Sequence, residues 1–163
     1  MKKLIFVRHG KAEEESPGFS DFERSLTSGG KKISRQMARL FNKEEVSPGL
    51  LISSPAFRAL ETALIFAAEC GTDYDKVVLN TNLYYKTNLD TIMDILDGIH
   101  EAIDSVTLFG HNPSFTDIVN SLCRDGCDFI PKSGVVCISY DVKTWNEISR
   151  NTGKLEYFLI PEK

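Results

Sequence analysis

The sequence predicts an α/β fold, a three-layer α/β/α sandwich in which helices cover both faces of a mostly parallel central sheet. Three observations carry that expectation. Short apolar runs alternate with longer stretches of helical periodicity along the whole chain. The connections between them are short, as repeated strand–helix–strand units require. Apolar runs such as Leu4-Ile5-Phe6-Val7 lack polar alternation, the pattern of a strand covered on both faces.

The first strand covers residues 4–7 and is followed at once by Arg8, His9 and Gly10. Residues 10–25 are polar, with Ser16-Pro17-Gly18 as a turn. Thr27 is placed to cap a helix running to about Asn42, with Ile33, Met37, Leu40 and Phe41 on one face. Pro48-Gly49 breaks the chain before a second strand at 50–53. Ser54-Pro55 then opens a second helix with Pro55 in its first turn. Phe57, Leu60, Ala63, Leu64 and Ala67 keep helical spacing there, and Gly71 stops it. A third strand is expected at 77–79. Asn88 caps a helix expected to carry Leu89, Ile92, Met93, Leu96, Ile99 and Ile103, with His100 on its polar border. The fourth strand, 106–109, ends at Gly110-His111, and Pro113 opens a helix carrying Phe115, Ile118, Val119 and Leu122. Strands at 135–140 and 155–160 complete the order. No repeat, low-complexity stretch or linker interrupts it, so one domain over residues 1–163 is expected.

Composition narrows the function. With 42% apolar and 26% charged residues in 163, the chain reads as a soluble globular protein able to bury a core. A net charge of −4 argues against nucleic acid or an anionic membrane as a partner held by bulk electrostatics. No apolar run approaches transmembrane length. Met1-Lys2-Lys3 leads straight into a strand, so no signal peptide and a cytoplasmic location are expected, and a monomer with them. Cys70, Cys123, Cys127 and Cys137 suit reduced thiols. Cys123 and Cys127 could share a helix face and offer two zinc ligands, but nothing nearby supplies the others and Gly126 is expected to end the helix. No metal site is expected.

Three polar clusters fall at the ends of three strands: Arg8-His9-Gly10, Ser53-Ser54-Pro55 with Arg58, and Gly110-His111-Asn112-Pro113. Parallel strands aim their carboxyl ends the same way, so these clusters can meet in one crevice. The arginine forks and the amides opening the helix after His111 both favour an anion. The chemistry that fits is phosphoryl transfer through histidine. A neutral imidazole is a competent nucleophile when its second nitrogen is held as a donor. Neighbouring positive charges keep it unprotonated and stabilise the phosphoryl oxygens. His9 is the candidate nucleophile; Arg8, Arg58 and a protonated or donating His111 are the clamp. The backbone of Asn112, with Ser20 and Asp21, joins the candidate substrate contacts. The arginines supply the electrostatics, so no metal or cofactor is expected.

At these residues the sequence resembles the histidine phosphatase (phosphoglycerate mutase-like) superfamily, whose phosphate pocket is two arginines and two histidines. More narrowly it is similar to the small SixA-type phosphohistidine phosphatases. Arg8-His9-Gly10-Lys11-Ala12-Glu13 matches their opening, and Asp21-Phe22-Glu23-Arg24-Ser25-Leu26-Thr27 with Gly30 resembles a D-x-x-R-x-L-T-x-x-G segment, with Ser25 where that group usually has proline. Residues 130–136, Trp145 and a closing strand ending in Pro161 fit their carboxyl-terminal pattern. The resemblance implies a phosphoglycerate mutase-like fold. It also implies phosphorylation of His9, clamping by Arg8 and Arg58, His111 as the second pocket histidine, and hydrolysis of phospho-His9 by water.

Sugar-phosphate members of that superfamily carry a lid with an acidic proton donor between the third strand and the next helix. Here only residues 81–87 lie between them, without a carboxylate. An open pocket suits a phosphohistidine-bearing protein, such as a phosphotransfer domain or phosphocarrier, and a labile P–N bond needs the acid less. The competing readings are a small-molecule phosphatase or mutase and a non-catalytic phosphate-binding module. Asp21 or Glu13 could alternatively reach in as the acid. Glu13-Glu14-Glu15 reads as solvated loop, or as a collar that draws a basic partner and rejects highly charged small phosphates. Asp21 and Arg24 read as a loop-fixing pair, His100 as a surface residue, and Trp145 and Tyr84-Tyr85 as packing, with either tyrosine able to border the pocket.

Overall fold

The computed structural model describes residues 1–163. Six strands, β1 (Lys2–Arg8), β2 (Leu50–Ser53), β3 (Val78–Leu79), β4 (Ser105–Gly110), β5 (Val135–Tyr140) and β6 (Lys154–Leu159), form one sheet in the order β3-β2-β4-β1-β5-β6. β1, β2, β3 and β4 pair in parallel, and β5 runs antiparallel between β1 and β6. Helices α1 (Ser28–Asn42), α2 (Phe57–Glu69), α3 (Leu89–Asp97) and α4 (Ser114–Leu122) complete the sandwich. This is the mostly parallel α/β/α architecture expected.

Alternation along β1 shows why both faces are covered. Leu4 and Phe6 enter a cluster of 20 buried residues that includes Leu108, Phe115, Val119 and Trp145, on the α3 and α4 side. Ile5 and Val7 enter a second cluster of 12, with Met37, Phe41, Phe66 and Phe109, on the α1 and α2 side. All four residues are fully buried, so a one-residue register slip would interchange the two cores. No helix is long and apolar enough to cross a membrane.

Thr27 caps α1 as expected, accepting from the Gly30 amide at 2.9 Å. Its buried stripe, however, is Gly30, Ser34, Met37, Ala38 and Phe41, while Ile33 and Leu40 are 38% and 39% exposed. Those two sit on the flank of the stripe, about 40–60° from Met37 at 100° per residue. Helix α2 begins at Phe57 with Ala56 as cap, leaving Pro55 outside. It buries Ala59, Ala63 and Ala67 with Thr62 and Phe66, while Phe57 is exposed and Leu60 and Leu64 are half-buried. Small residues four apart let the helix lie close on its neighbours, which turns the larger leucines outward.

Helix α3 stops at Asp97, capped by Gly98, so Ile99 and Ile103 pack from the loop beyond it. His100 is likewise in that loop, exposed, its Nδ1 accepting from the Ala102 amide. Helix α4 ends at Leu122, well before Gly126, and Cys123 adopts extended backbone. Cys123 and Cys127 therefore share no helix face; all four cysteines are free, and no group of three or more His, Cys, Asp or Glu converges as a metal site would require. β3 covers only Val78–Leu79 and is an exposed edge; β6 begins and ends one residue earlier than the expected 155–160.

Candidate active site

Three neighbouring strands end together at one edge of the sheet. β2, β4 and β1 are adjacent and parallel, so Ser54, His111 and His9 follow their carboxyl ends side by side. Backbone bonds lock those ends in place: the His9 amide donates to Gly110 O at 3.0 Å and the Ser54 amide to Phe109 O at 2.9 Å. The structure thus brings Arg8, His9, Arg58 and His111 into one site at the position where open α/β sheets hold ligands.

His9 is 8% exposed and its Nδ1 lies 2.7 Å from Gly10 O. A carbonyl can only accept, so Nδ1 carries the ring proton and Nε2 keeps its lone pair. Burial lowers the His9 pKa to about 3, against the Gly10 hydrogen bond and together with repulsion from His111, Arg58 and Arg8. At neutral pH the ring is therefore neutral. The Gly10 amide donates to Thr62 Oγ1 at 3.0 Å, and that hydroxyl donates to Arg58 O at 2.7 Å, tying the turn to α2. A Cβ on Gly10 would come within 2.5 Å of the buried Ser34 Oγ, so any side chain here would have to displace the Ser34–Ser133 hydroxyl pair where the chain passes α1.

His111 faces His9 with ring centroids 5.1 Å apart. Its Nε2 lies 2.8 Å from Ser54 Oγ, which already accepts from the Ala56 amide at 3.3 Å. When that hydroxyl donates to Nε2, the His111 proton sits on Nδ1. Nδ1 is buried without a protein partner, and so is Arg8 Nε. Two buried nitrogens without partners, Arg8 Nε and, in that tautomer, a protonated His111 Nδ1, suit an oxyanion. Burial, helped by Arg58 and Arg8 and opposed by Asp21, lowers the His111 pKa to about 4, so at neutral pH the ring is neutral rather than an imidazolium.

The two arginines are held by different means. Arg8 donates to Ile130 O at 3.0 Å and lies 5.1 Å from the Phe129 ring; burial lowers its pKa. Arg58, 7% exposed, donates to Asp21 O at 2.8 Å and Asp21 Oδ2 at 3.0 Å. Asp21 also accepts from Arg24 and from Tyr84 OH, at 2.9 and 2.8 Å. Its partial desolvation, which would raise the pKa, is outweighed by the bonds from Tyr84, Arg24 and Arg58, and the carboxyl falls to about 2. Asp21 is therefore an ionised anchor for Arg58, unsuited to giving up a proton. The expected Asp21–Arg24 pair exists, as part of this larger network.

The remaining candidates divide. Asn112 sits at the site, its side chain donating to Ile130 O at 2.9 Å and accepting from Thr116, while its backbone amide has no backbone acceptor. Ser20 is exposed and its hydroxyl donates to Glu23 at 2.8 Å, so no contact brings it to the pocket. Glu13 lines an exposed groove with Glu14 and Glu15. Tyr84 does border the site, its ring 5.6 Å from that of His111. Ser54, Thr62 and Ile130 O had no assigned role in the sequence reading. A hydroxyl one residue past a strand and another one turn after Arg58 were weak signals; a carbonyl gives none.

Residues 4–81, which hold Arg8, His9 and Arg58, match the model of the histidine phosphatase superfamily, branch 1. The chain is similar to the histidine phosphatases. The likeness in fold extends past residue 81 to the whole length. The candidate phosphohistidine phosphatase SixA of Agrobacterium tumefaciens superposes with a TM-score of 0.81 at 24% identity, over 98% of each chain. A protein histidine phosphatase SixA complexed with tungstate gives 0.82 at 21%, covering 98% of this chain and 97% of that one. A SixA candidate from Nakamurella multipartitia gives 0.83 at 18%, covering 99% and 97%. No curated protein matches in sequence. At these identities the superpositions establish the phosphoglycerate mutase-like fold.

Proposed function

We propose that this chain is a phosphatase that removes phosphate from phosphohistidine on another protein, through a phosphohistidine formed on His9. The observation that carries the reading is the tautomer of His9. Its Nδ1 is committed to Gly10 O at 2.7 Å, which leaves Nε2 free beside the unpartnered donors of Arg8 and His111. In the first step Nε2 bonds to phosphorus as the bond to the substrate's imidazole nitrogen breaks, and that nitrogen takes up a proton from solvent. Water then attacks phospho-His9, releases inorganic phosphate and restores the lone pair. Arg8, Arg58 and His111 hold the three equatorial oxygens throughout, each charge-assisted bond contributing about 1.5–3 kcal/mol.

A protein substrate is supported by the short span between β3 and α3, residues 80–88. Beyond a turn at Thr81–Leu83 it offers Tyr84 and Tyr85 but no carboxylate and no lid. The solved protein histidine phosphatase SixA shares the fold over nearly the whole chain. Incubation with a histidine-phosphorylated protein should release phosphate and leave an acid-labile phosphoryl group on the wild-type enzyme. His9→Ala should lower turnover by at least about a thousandfold, the scale of losing a catalytic nucleophile. Equal release by His9→Ala, or far faster turnover of sugar phosphates than of phosphohistidine, overturns the proposal.

A further inference from the structure

A groove of about 430 Å³ runs away from the pocket along the loop before β5, lined by Arg8, Lys11, Ile33, Phe129, Lys132 and Pro161 among others. Two of these are apolar side chains open to solvent, Phe129 at 58% and Ile33 at 38%. The Phe129 ring lies 5.1 Å from Arg8 Cζ, so one arginine belongs to both the pocket and the groove. Charge there runs against the whole molecule. Three cations and no carboxylate line the groove, in a chain of net charge −4; the nearby acids in sequence, Asp128 and Glu162, are not among its lining. Across Lys11 a second groove, of about 720 Å³, carries four carboxylates, Glu13, Glu14, Glu15 and Glu23, against the two cations Lys11 and Arg24.

A small phosphate held by the pocket would leave the exposed phenyl and sec-butyl groups unused. A macromolecule would cover them. We infer that this groove docks the phosphoprotein substrate by an acidic segment carrying one or two apolar side chains next to its phosphohistidine. The inference rests on the protein-phosphohistidine function proposed above. Ile33 and Phe129 supply apolar contact, Lys11 and Lys132 complement the acidic segment, and Glu13–Glu15 repel it from the opposite side. Attraction on one flank and repulsion on the other select a single orientation of the partner over the pocket.

The test uses two substrates: an acidic phosphotransfer domain phosphorylated on histidine, and phosphoramidate, which has the same P–N bond but cannot reach the groove. Lys132→Glu and Ile33→Glu alter exposed side chains outside the catalytic set. Each should raise KM for the protein substrate about five- to tenfold, and the pair more, with kcat and phosphoramidate turnover within twofold of wild type. An unchanged KM for the protein in both variants overturns the docking surface, as does an equal fall on both substrates. Wild-type enzyme that cleaves phosphoramidate but no phosphohistidine-bearing protein overturns the functional reading instead, and the docking surface with it.

Discussion

At the scale of single residues, the site is built from hydrogen bonds that decide where protons sit. His9 is oriented by a carbonyl and His111 by a hydroxyl; the first presents a lone pair, and the second presents an N–H when that hydroxyl donates to it. Ser54 is therefore a positioning residue with a separable effect. Ser54→Ala should leave the fold and the His9 tautomer intact but release His111 to bond through either nitrogen. Turnover should fall about 10–100-fold, the range for losing a partner that fixes a histidine's orientation. Binding of tungstate or phosphate should weaken in step, readable by calorimetry. Ser54→Thr keeps the hydroxyl and should recover most of the activity; failure of that rescue would show that volume rather than the hydrogen bond matters.

At the scale of elements, the loop between β1 and α1 reaches across to α2 and completes the site. Its short turn at Asp21–Glu23 places one carboxylate where Arg58, Arg24 and Tyr84 all donate to it. Arg58 has five N–H donors and gives two to Asp21, one to its carboxylate and one to its carbonyl; the rest remain for a phosphoryl group. Asp21→Asn keeps shape but weakens this charge-assisted anchor. It should slow turnover about tenfold while the protein remains folded, and the bound oxyanion's Kd should rise by a similar factor. Much of this arrangement was legible beforehand. Arg8, His9, Arg58 and His111 each sit at a strand end or in the first turn beyond it, where sequence position implies spatial position. The helix faces were less so, since Ile33, Leu40, Phe57 and Leu64 are apolar enough for a core but lie beside the stripes that meet it. Ile103 misled for a related reason: it packs in the core from a loop, which periodicity cannot distinguish from one more helical turn. The bond from Tyr84 to Asp21 spans 63 positions, and no local pattern announces such a partner.

At the scale of the whole molecule, two neutral histidines and two arginines brought together in a low-dielectric site set how folding responds to pH. The His9 and His111 pKa values are lowered, to about 3 and about 4, whereas an unfolded histidine titrates near ~6.5. Between those limits the unfolded chain binds protons that the folded site refuses, so stability rises with pH there. The stability is complete above about pH 6.5 and declines as pH falls toward 4 and then 3, each histidine adding a slope of up to about 1.4 kcal/mol per pH unit. Asp21 acts in a separate window. Its lowered pKa of about 2 gives stability that is present above its unfolded value near ~3.9 and lost only below it. The interval from pH 4.5 to 6.5 therefore isolates the histidines. Urea unfolding across it should show a steep fall in wild type and a flatter one in a His9→Asn, His111→Asn variant. A saturating oxyanion should also flatten the wild-type curve, because negative charge between the two arginines lets the imidazoles accept protons while folded. An unchanged slope in the double variant would mean that the acid sensitivity lies elsewhere and that the pocket histidines are not held neutral by their surroundings.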